Sequence, residues 1–323
     1  MSDDRQLKQI EASLRDIREL HPRFEATIEQ LEKRLDDLGT GLEVSERIYD
    51  TTYLKHYVYQ HLLVKFRLII ENNFRFVETL SLLATVHYVF EALVWLRVLR
   101  EDGRYGLVAH HQLGSASAQQ AKEQKRKMED EIHFYEKLAK DEEAAMREEM
   151  AKSRNAGQDL GKRFRLISEE VDRRARRAFN LYADQAKING YSFQAFLLRE
   201  KGLPQVEERI AIVVKEQADL ERRVPGNTRP LTRHRWNWKA QAESVGMGKQ
   251  YEFIYSHTSR MLHATPFSFA GNQKNLEFEE VHMFLEYLYV SLLDSVETAE
   301  KDIGASPAEC IPPTGRATSG REL

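Results

Sequence analysis

Tyr251, Tyr255, Ser259 and His263 recur at intervals of four. In a helix that spacing lines them along one stripe. Two phenols, a hydroxyl and an imidazole are groups that move protons and hold anions, and a packing face does not require them. His263 stands just before Ala264-Thr265-Pro266, where the helix is expected to end, and the negative end of a helix favours a protonated imidazole. A second pair, His87 and Glu91, is also four apart. It falls inside the nearly all-apolar stretch Leu80–Leu96, with Arg97 and Arg100 close behind. If the two helices pack, Glu91 orients or charge-pairs His263 and an arginine holds an anion such as phosphate. That set supports acid/base catalysis with no metal and no cofactor. The catalytic candidates are therefore His263, Glu91, Ser259 and Tyr255; the substrate-binding candidates are Arg97, Arg100, His87 and Tyr251. The competing reading of the same side chains is a buried hydrogen-bond network that locks the helices together.

Other patterns carry less. Glu279 and His282 form the Glu-x-x-His step of di-iron bundles, but such a site needs a second copy and two further carboxylates, and no clean second copy is found. The run Arg229–Lys239 interleaves basic residues with Trp236 and Trp238, as a single-stranded nucleic-acid platform does. The same run serves as a loop anchored to the core by its tryptophans, and a net charge of −3 favours that reading. Glycine-rich phosphate loops, CxxC pairs, HExxH and GxSxG are absent from the sequence.

The elements that must position these groups are helical. Leu7, Ile10, Leu14, Ile17, His21, Phe24, Ile28, Leu31, Leu35 and Leu38 alternate spacings of three and four, a heptad seam that predicts an N-terminal coiled-coil helix over 1–40. It would reach roughly 50 Å at about 1.5 Å per residue. Pro22 removes a backbone donor and should kink or restart it. Residues 41–114 turn apolar and aromatic and read as the first half of a core. Helices are expected over 46–72 and 78–101, then a short one ending near Leu113. Residues 115–224 read as a charged helical hairpin inserted into that core and the natural partner for the N-terminal seam. Pro225-Gly226-Asn227 marks a turn, 225–302 completes the core, and 303–323 reads as a flexible tail.

The chain has 323 residues, 41% apolar and 31% charged, with only 8 Pro and 16 Gly. High charge with few breakers fits long solvated helices. The net charge excludes a basic nucleic-acid binder by overall balance, leaving only a local patch. One cysteine, Cys310, allows no disulfide within the chain, which suits a reducing cytoplasm. The segment MSDDRQ shows no signal-peptide pattern. Leu80–Leu96 is slightly short for a membrane span and carries His87 and Glu91 in its middle, so a buried core helix is expected, with no membrane.

Trp236 and Trp238, then Ala242-Glu-Ser-Val-Gly246, then Tyr251, Tyr255, Ser259 and His263 followed by Pro266, form a pattern that resembles the bacterial domain-of-unknown-function family five-six-seven-seven. The helix Leu80–Asp102, with Glu91 and an Arg-Glu-Asp end, resembles that family's first conserved helix. The likeness covers about residues 45–113 and 235–300, and His87 stands where family members often carry arginine. The layout is also distantly similar to HEPN domains, helical ribonucleases of toxin and defence systems, whose mark is an Arg and a His separated by four to six residues. Here Ser256, His257 and Thr258 stand where that arginine would precede His263.

The fold expected is all-α: a helical-bundle core with an inserted hairpin and an N-terminal coiled coil. The function implied by the resemblance is an RNA-targeting effector of a defence or toxin–antitoxin system. The alternative is a non-catalytic scaffold or sensor that meets another copy, or a partner protein, through the coiled coil.

Overall fold

The computed structural model describes residues 2–74, 77–153, 159–233, 235–262 and 276–304. Among them there is no strand; the chain is all-α. The main helices are α1 (Ser2–Glu19), α2 (His21–Gly39), α3 (Thr51–Asn73), α4 (Thr79–Glu101), α5 (Tyr105–Ser153), α6 (Leu160–Arg177), α7 (Ala183–Asn189), α8 (Tyr191–Leu197), α9 (Leu203–Arg223), α10 (Trp238–Ser244), α11 (Ser256–Leu262) and α12 (Phe278–Gly304). The chain forms two units, residues 1–110 with 224–323, and residues 111–223.

In the first unit α12 is the hub. Its face Phe284, Leu285, Leu288, Leu292, Val296 and Ala299 is buried, and α1, α2, α3 and α4 pack against it. Local signals set the helix starts. Asp50 accepts from the Tyr53 amide at 2.6 Å to open α3, and Glu78 accepts from the Leu80 and Ser81 amides to open α4. Side chains thus satisfy amides that a helix start leaves unpaired. Polar clamps fix the packing onto α12. Ser13 of α1 donates to Glu286 at 2.7 Å. Arg23 of α2 makes a two-pronged bond to Glu300 at 2.9 and 2.6 Å, which holds that carboxyl below its usual range. Lys55 of α3 pairs with Asp302.

The N-terminal seam, expected as a projecting arm, is packed into the core of the first unit. Ile10, Ile17, Leu20, Phe24, Ile28 and Leu31 enter the same core as α3 and α12, and Phe24 meets Phe66 edge to face at 6.2 Å. A heptad stripe needs any apolar stripe as partner, and α3 offers Tyr59, Leu63, Phe66 and Ile70 at helical spacing. The expected break at Pro22 is present, since α1 ends at Glu19 and α2 begins at His21. The break shifts the register, so that Leu20 takes the buried place expected of His21. α4 is the one described helix long and apolar enough to cross a membrane, and 67% of that window is buried inside the protein.

In the second unit α5 is the spine. Arg163, Ser168 and Arg174 of α6 meet Glu149, Glu142 and Asp141 of α5. Partner numbers fall as residue numbers rise, so α6 runs antiparallel to α5. α9 does the same, through Glu207 with Lys125, Gln217 with Ser115 and Glu221 with His111. The short α7 and α8 are joined by Gly190, whose φ of 86° suits glycine alone. Met128, Ile132, Tyr135, Leu138, Val171 and Tyr191 form the centre of this unit's core. The helix expected to end near Leu113 instead runs on through Gly114 to Ser153. A lone interior glycine costs only about 1 kcal/mol, and no proline stands there to stop the helix.

Candidate functional site

α4 is buried along most of its length, yet His87 and Glu91 stand among its apolar residues. His87 and Glu91, one turn apart, share a face, and α11 with the π-helical turn before it, Tyr251–Tyr255, lies against that face. His87 Nδ1 is 2.9 Å from Thr258 Oγ1. Thr258 donates its single proton to the Ile254 carbonyl at 2.7 Å. Its oxygen therefore accepts from His87, which places a proton on Nδ1. Nε2 then faces Glu91 Oε1 at 3.5 Å. A neutral imidazole presents a lone pair there, and a protonated one completes an ion pair.

Aromatic rings hold the imidazole in place. Tyr255 lies over His87 with centroids 4.7 Å apart, Tyr251 stacks on Tyr255 at 4.8 Å and 17°, and Phe90 packs behind both at 6.3 and 6.1 Å. Thr258 is fully buried, whereas the side chains of His87 and Glu91 keep 21% and 27% exposure. The pair is thus anchored from the protein side and reachable by solute. Burial, then the charge of Glu91, then Tyr251, push the Tyr255 phenol above its usual range. Tyr255 therefore stays protonated across physiological pH and serves as a hydrogen-bond donor. Burial and Glu91 push Tyr88 the same way.

No family model, no curated protein and no solved structure matches this chain. The site is accordingly read from its own geometry. Of the residues selected from sequence, His87, Glu91, Tyr255 and Tyr251 come together. His263 lies outside the described residues, as do residues 264–275, so the expected Glu91–His263 pairing falls there too. Ser259 is half-buried, and the hydroxyl that reaches α4 is Thr258. Ile254 turns inward, and Thr258, four further on, turns inward with it. Ser259 is rotated about 100° from Thr258. Phe253, its apolar neighbour, is 51% exposed.

The two arginines do not join the cluster. Arg97 is bound to Asp294 of α12, with Nη2 and Nε at 2.8 and 3.3 Å, and Arg100 is exposed. At about 100° per residue, Arg97 lies roughly 120° and Arg100 roughly 180° around α4 from Glu91. Trp95 is the next residue on the Glu91 face, and Trp236 stacks on it at 3.8 Å and 10°. Trp238 meets Trp236 edge-on at 5.4 Å. The tryptophans of the basic run therefore serve as anchors, with one face of Trp236 already covered. Glu279 and His282 tie α1 to α12, through Gln6 and Ser13. No group of three potential metal ligands occurs among the described residues. Thr258, Trp95 and Asp294 were not selected from sequence. The one available signal was the spacing of four from apolar Ile254 to Thr258.

Proposed function

We propose that this chain is an RNA-targeting effector of bacterial defence or toxin–antitoxin type, cleaving by metal-independent acid/base chemistry at the His87–Glu91 pair. The observation that carries the reading is the imidazole held at Nδ1 by buried Thr258, with Glu91 3.5 Å from Nε2, while remaining partly open to solute. The RNA assignment comes from the resemblance of the tryptophan, tyrosine, serine and histidine pattern to family five-six-seven-seven and, distantly, to HEPN ribonucleases.

In this mechanism His87 Nε2 takes the proton of a ribose 2′-hydroxyl, and Glu91 stabilises the imidazolium that results. The 2′-oxygen attacks phosphorus and the bond to the 5′-oxygen breaks. Tyr255, held protonated, donates to the departing oxygen, and the proton taken up by His87 returns to Tyr255 through water. The products are a 2′,3′-cyclic phosphate and a 5′-hydroxyl.

The test is cleavage of labelled single-stranded RNA by the full chain in the presence of EDTA, with His87→Ala, Glu91→Gln and His263→Ala compared at equal helical content. Loss of general acid–base catalysis lowers the rate by about 10²–10⁴-fold, and His87→Ala should fall in that range. Unchanged cleavage by His87→Ala sinks the assignment of the base. Absence of cleavage by the unaltered chain sinks the ribonuclease reading. The alternative, a non-catalytic scaffold, draws its support from the second unit, where several large apolar side chains face solvent. The N-terminal seam is no longer its working surface, since α3 and α12 cover it.

A further inference from the structure

The His87–Glu91 pair brings a carboxylate and no permanent cation. Arg97 is committed to Asp294, and Arg100 lies on the opposite side of α4. A phosphodiester at that pair therefore needs its charge met by another element. Trp95 stands one turn beyond Glu91, about 6 Å along the helix axis. Trp236 lies flat on it at 3.8 Å and 10°, and Tyr105 meets Trp236 edge-on at 6.2 Å. The segment that carries Trp236 is fastened at further points. Val224, Thr228 and Ala242 are buried. Arg104 donates to the Asn227 carbonyl at 3.2 Å. Asn237 accepts from the Ala240 amide at 3.1 Å to open α10, which packs on α4. Pinned by these residues, the segment turns its charges outward: Arg229, Arg233, Arg235 and Lys239 are all exposed.

The charge is local and unspent. Residues 224–242 hold four Lys or Arg and no Asp or Glu, in a chain of net charge −3. Among the described residues, Arg233 and Arg235 have no acidic partner. Arg229 donates to the Val224 carbonyl at 3.4 Å. Lys239 reaches Glu243 at 3.9 Å with both side chains more than half exposed, and such a pair is worth little in water. Unpaired cations on a pinned segment suit the spaced charges of a phosphate backbone. Three of the four are arginine, whose fork bonds two phosphate oxygens at once. Trp238 stands half-buried among them, its ring turned 81° from that of Trp236. Aromatic rings interleaved with cations are the make-up of surfaces that hold single-stranded nucleic acid. A peptide rich in carboxylates would use the arginines and leave the ring unused.

We infer that Arg229, Arg233, Arg235 and Lys239 hold the phosphate backbone of single-stranded RNA beside the His87–Glu91 pair, on the side marked by Trp95. The choice of RNA rests on the cleavage proposed at that pair. The test is fluorescence anisotropy of the full chain with a labelled single strand of 2′-O-methyl RNA, about 12 nucleotides long. This probe has no free 2′-hydroxyl and so reports binding without cleavage. The unaltered chain should bind it with a Kd of about 1–100 µM at physiological salt. Each phosphate contact to a single strand adds about 0.7 to the slope of log affinity against log salt. Arg233→Gln with Arg235→Gln should therefore lower that slope by about 1.4 and weaken binding roughly 25-fold at about 0.1 M salt. Arg5→Gln with Arg18→Gln, both exposed on α1, removes the same charge elsewhere. Screening should hold its effect below about twofold. No binding at about 100 µM, or equal loss in the two double variants, overturns the inference. Tighter binding of labelled poly-glutamate, lost with Arg233 and Arg235, also overturns it and names an acidic protein instead. Binding that depends on the arginines, with RNA left uncleaved, supports the inference and sinks the ribonuclease reading alone. Cleavage with KM unchanged in Arg233→Gln with Arg235→Gln sinks the inference alone.

Discussion

Replacing Thr258 by valine isolates the contact on which the site's geometry depends. The two side chains are nearly the same shape, and the position is fully buried, so packing is kept and only the hydroxyl is lost. That hydroxyl makes two bonds, donating to Ile254 O at 2.7 Å and accepting from His87 Nδ1 at 2.9 Å. Removing one partner of a buried hydrogen bond costs about 1–3 kcal/mol. The His87 side chain retains 21% exposure, so water can partly replace the lost acceptor, which places the expected cost at about 1–2 kcal/mol. For a unit of this size each kcal/mol lowers Tm by roughly 2–4 °C. Ser259→Ala, one residue on, should change stability by less than about 0.5 kcal/mol. The assay is urea denaturation of both variants, followed by a double-mutant cycle of Thr258→Val with His87→Ala. Coupling of about 1 kcal/mol is expected for residues in direct contact. Thr258→Val as stable as the parent, or Ser259→Ala the costlier of the two, would refute the placement of Thr258 as the hydroxyl that holds His87.

Three further outcomes follow from the packing. Leu31, fully buried against the core, should cost about 2–5 kcal/mol on Leu31→Ala, with the oligomeric mass unchanged; a change of mass would return the seam to an intermolecular role. Gly106→Ala should destabilise by about 1–2 kcal/mol despite alanine's better helix propensity. Its Cβ would stand 2.9 Å from Leu54 Cβ and 3.1 Å from the Lys55 amide nitrogen, and backbone there cannot give way; a thermal melt at or above the parent's would contradict this. His56 is buried, and burial lowers its pKa below 6.5 despite its bond to Thr52 O. Below about pH 6.5 the unfolded imidazole binds a proton that the folded one resists, so this contribution is full above pH 6.5 and lost as pH falls toward the folded value. His56→Leu should flatten the stability profile below about pH 6.5, and an unchanged slope would show that another group titrates.

The all-α architecture was legible because periodicity reports amphipathic faces, and those faces are long here. The apolar stripes of α1–α4 and α12 each cover several turns, and the breaks at Pro22 and at Asp102-Gly103 are strong local signals. What periodicity does not report is which stripe covers which. The seam of α1 and α2 has the spacing of a coiled coil, and that spacing is equally satisfied by α3 and α12 within the same unit. Nor does a spacing of four specify which residue of a turn faces inward. The stripe Tyr251, Tyr255, Ser259 was correctly read as helical, but the inward residue is chosen by the burial of Ile254, and this delivers Thr258 to His87. The pair His87–Glu91 was legible because both partners lie one turn apart on a single helix.

The separate fates of Glu91 and Arg97 show how α4 divides its work. Both are charged residues on an otherwise apolar helix, where an uncompensated charge is costly. Arg97 meets that cost with a partner of its own, Asp294 of α12, at 2.8 Å, and so joins the clamps that fix the bundle. Among the described residues, Glu91 has no cation within ion-pair distance other than the imidazole of His87. A carboxylate needed only to hold helices together would be better served by an arginine, whose charge is permanent and whose fork bonds both oxygens, than by an imidazole. That choice of partner, at a place still open to solute, is the strongest structural argument for chemistry at this position.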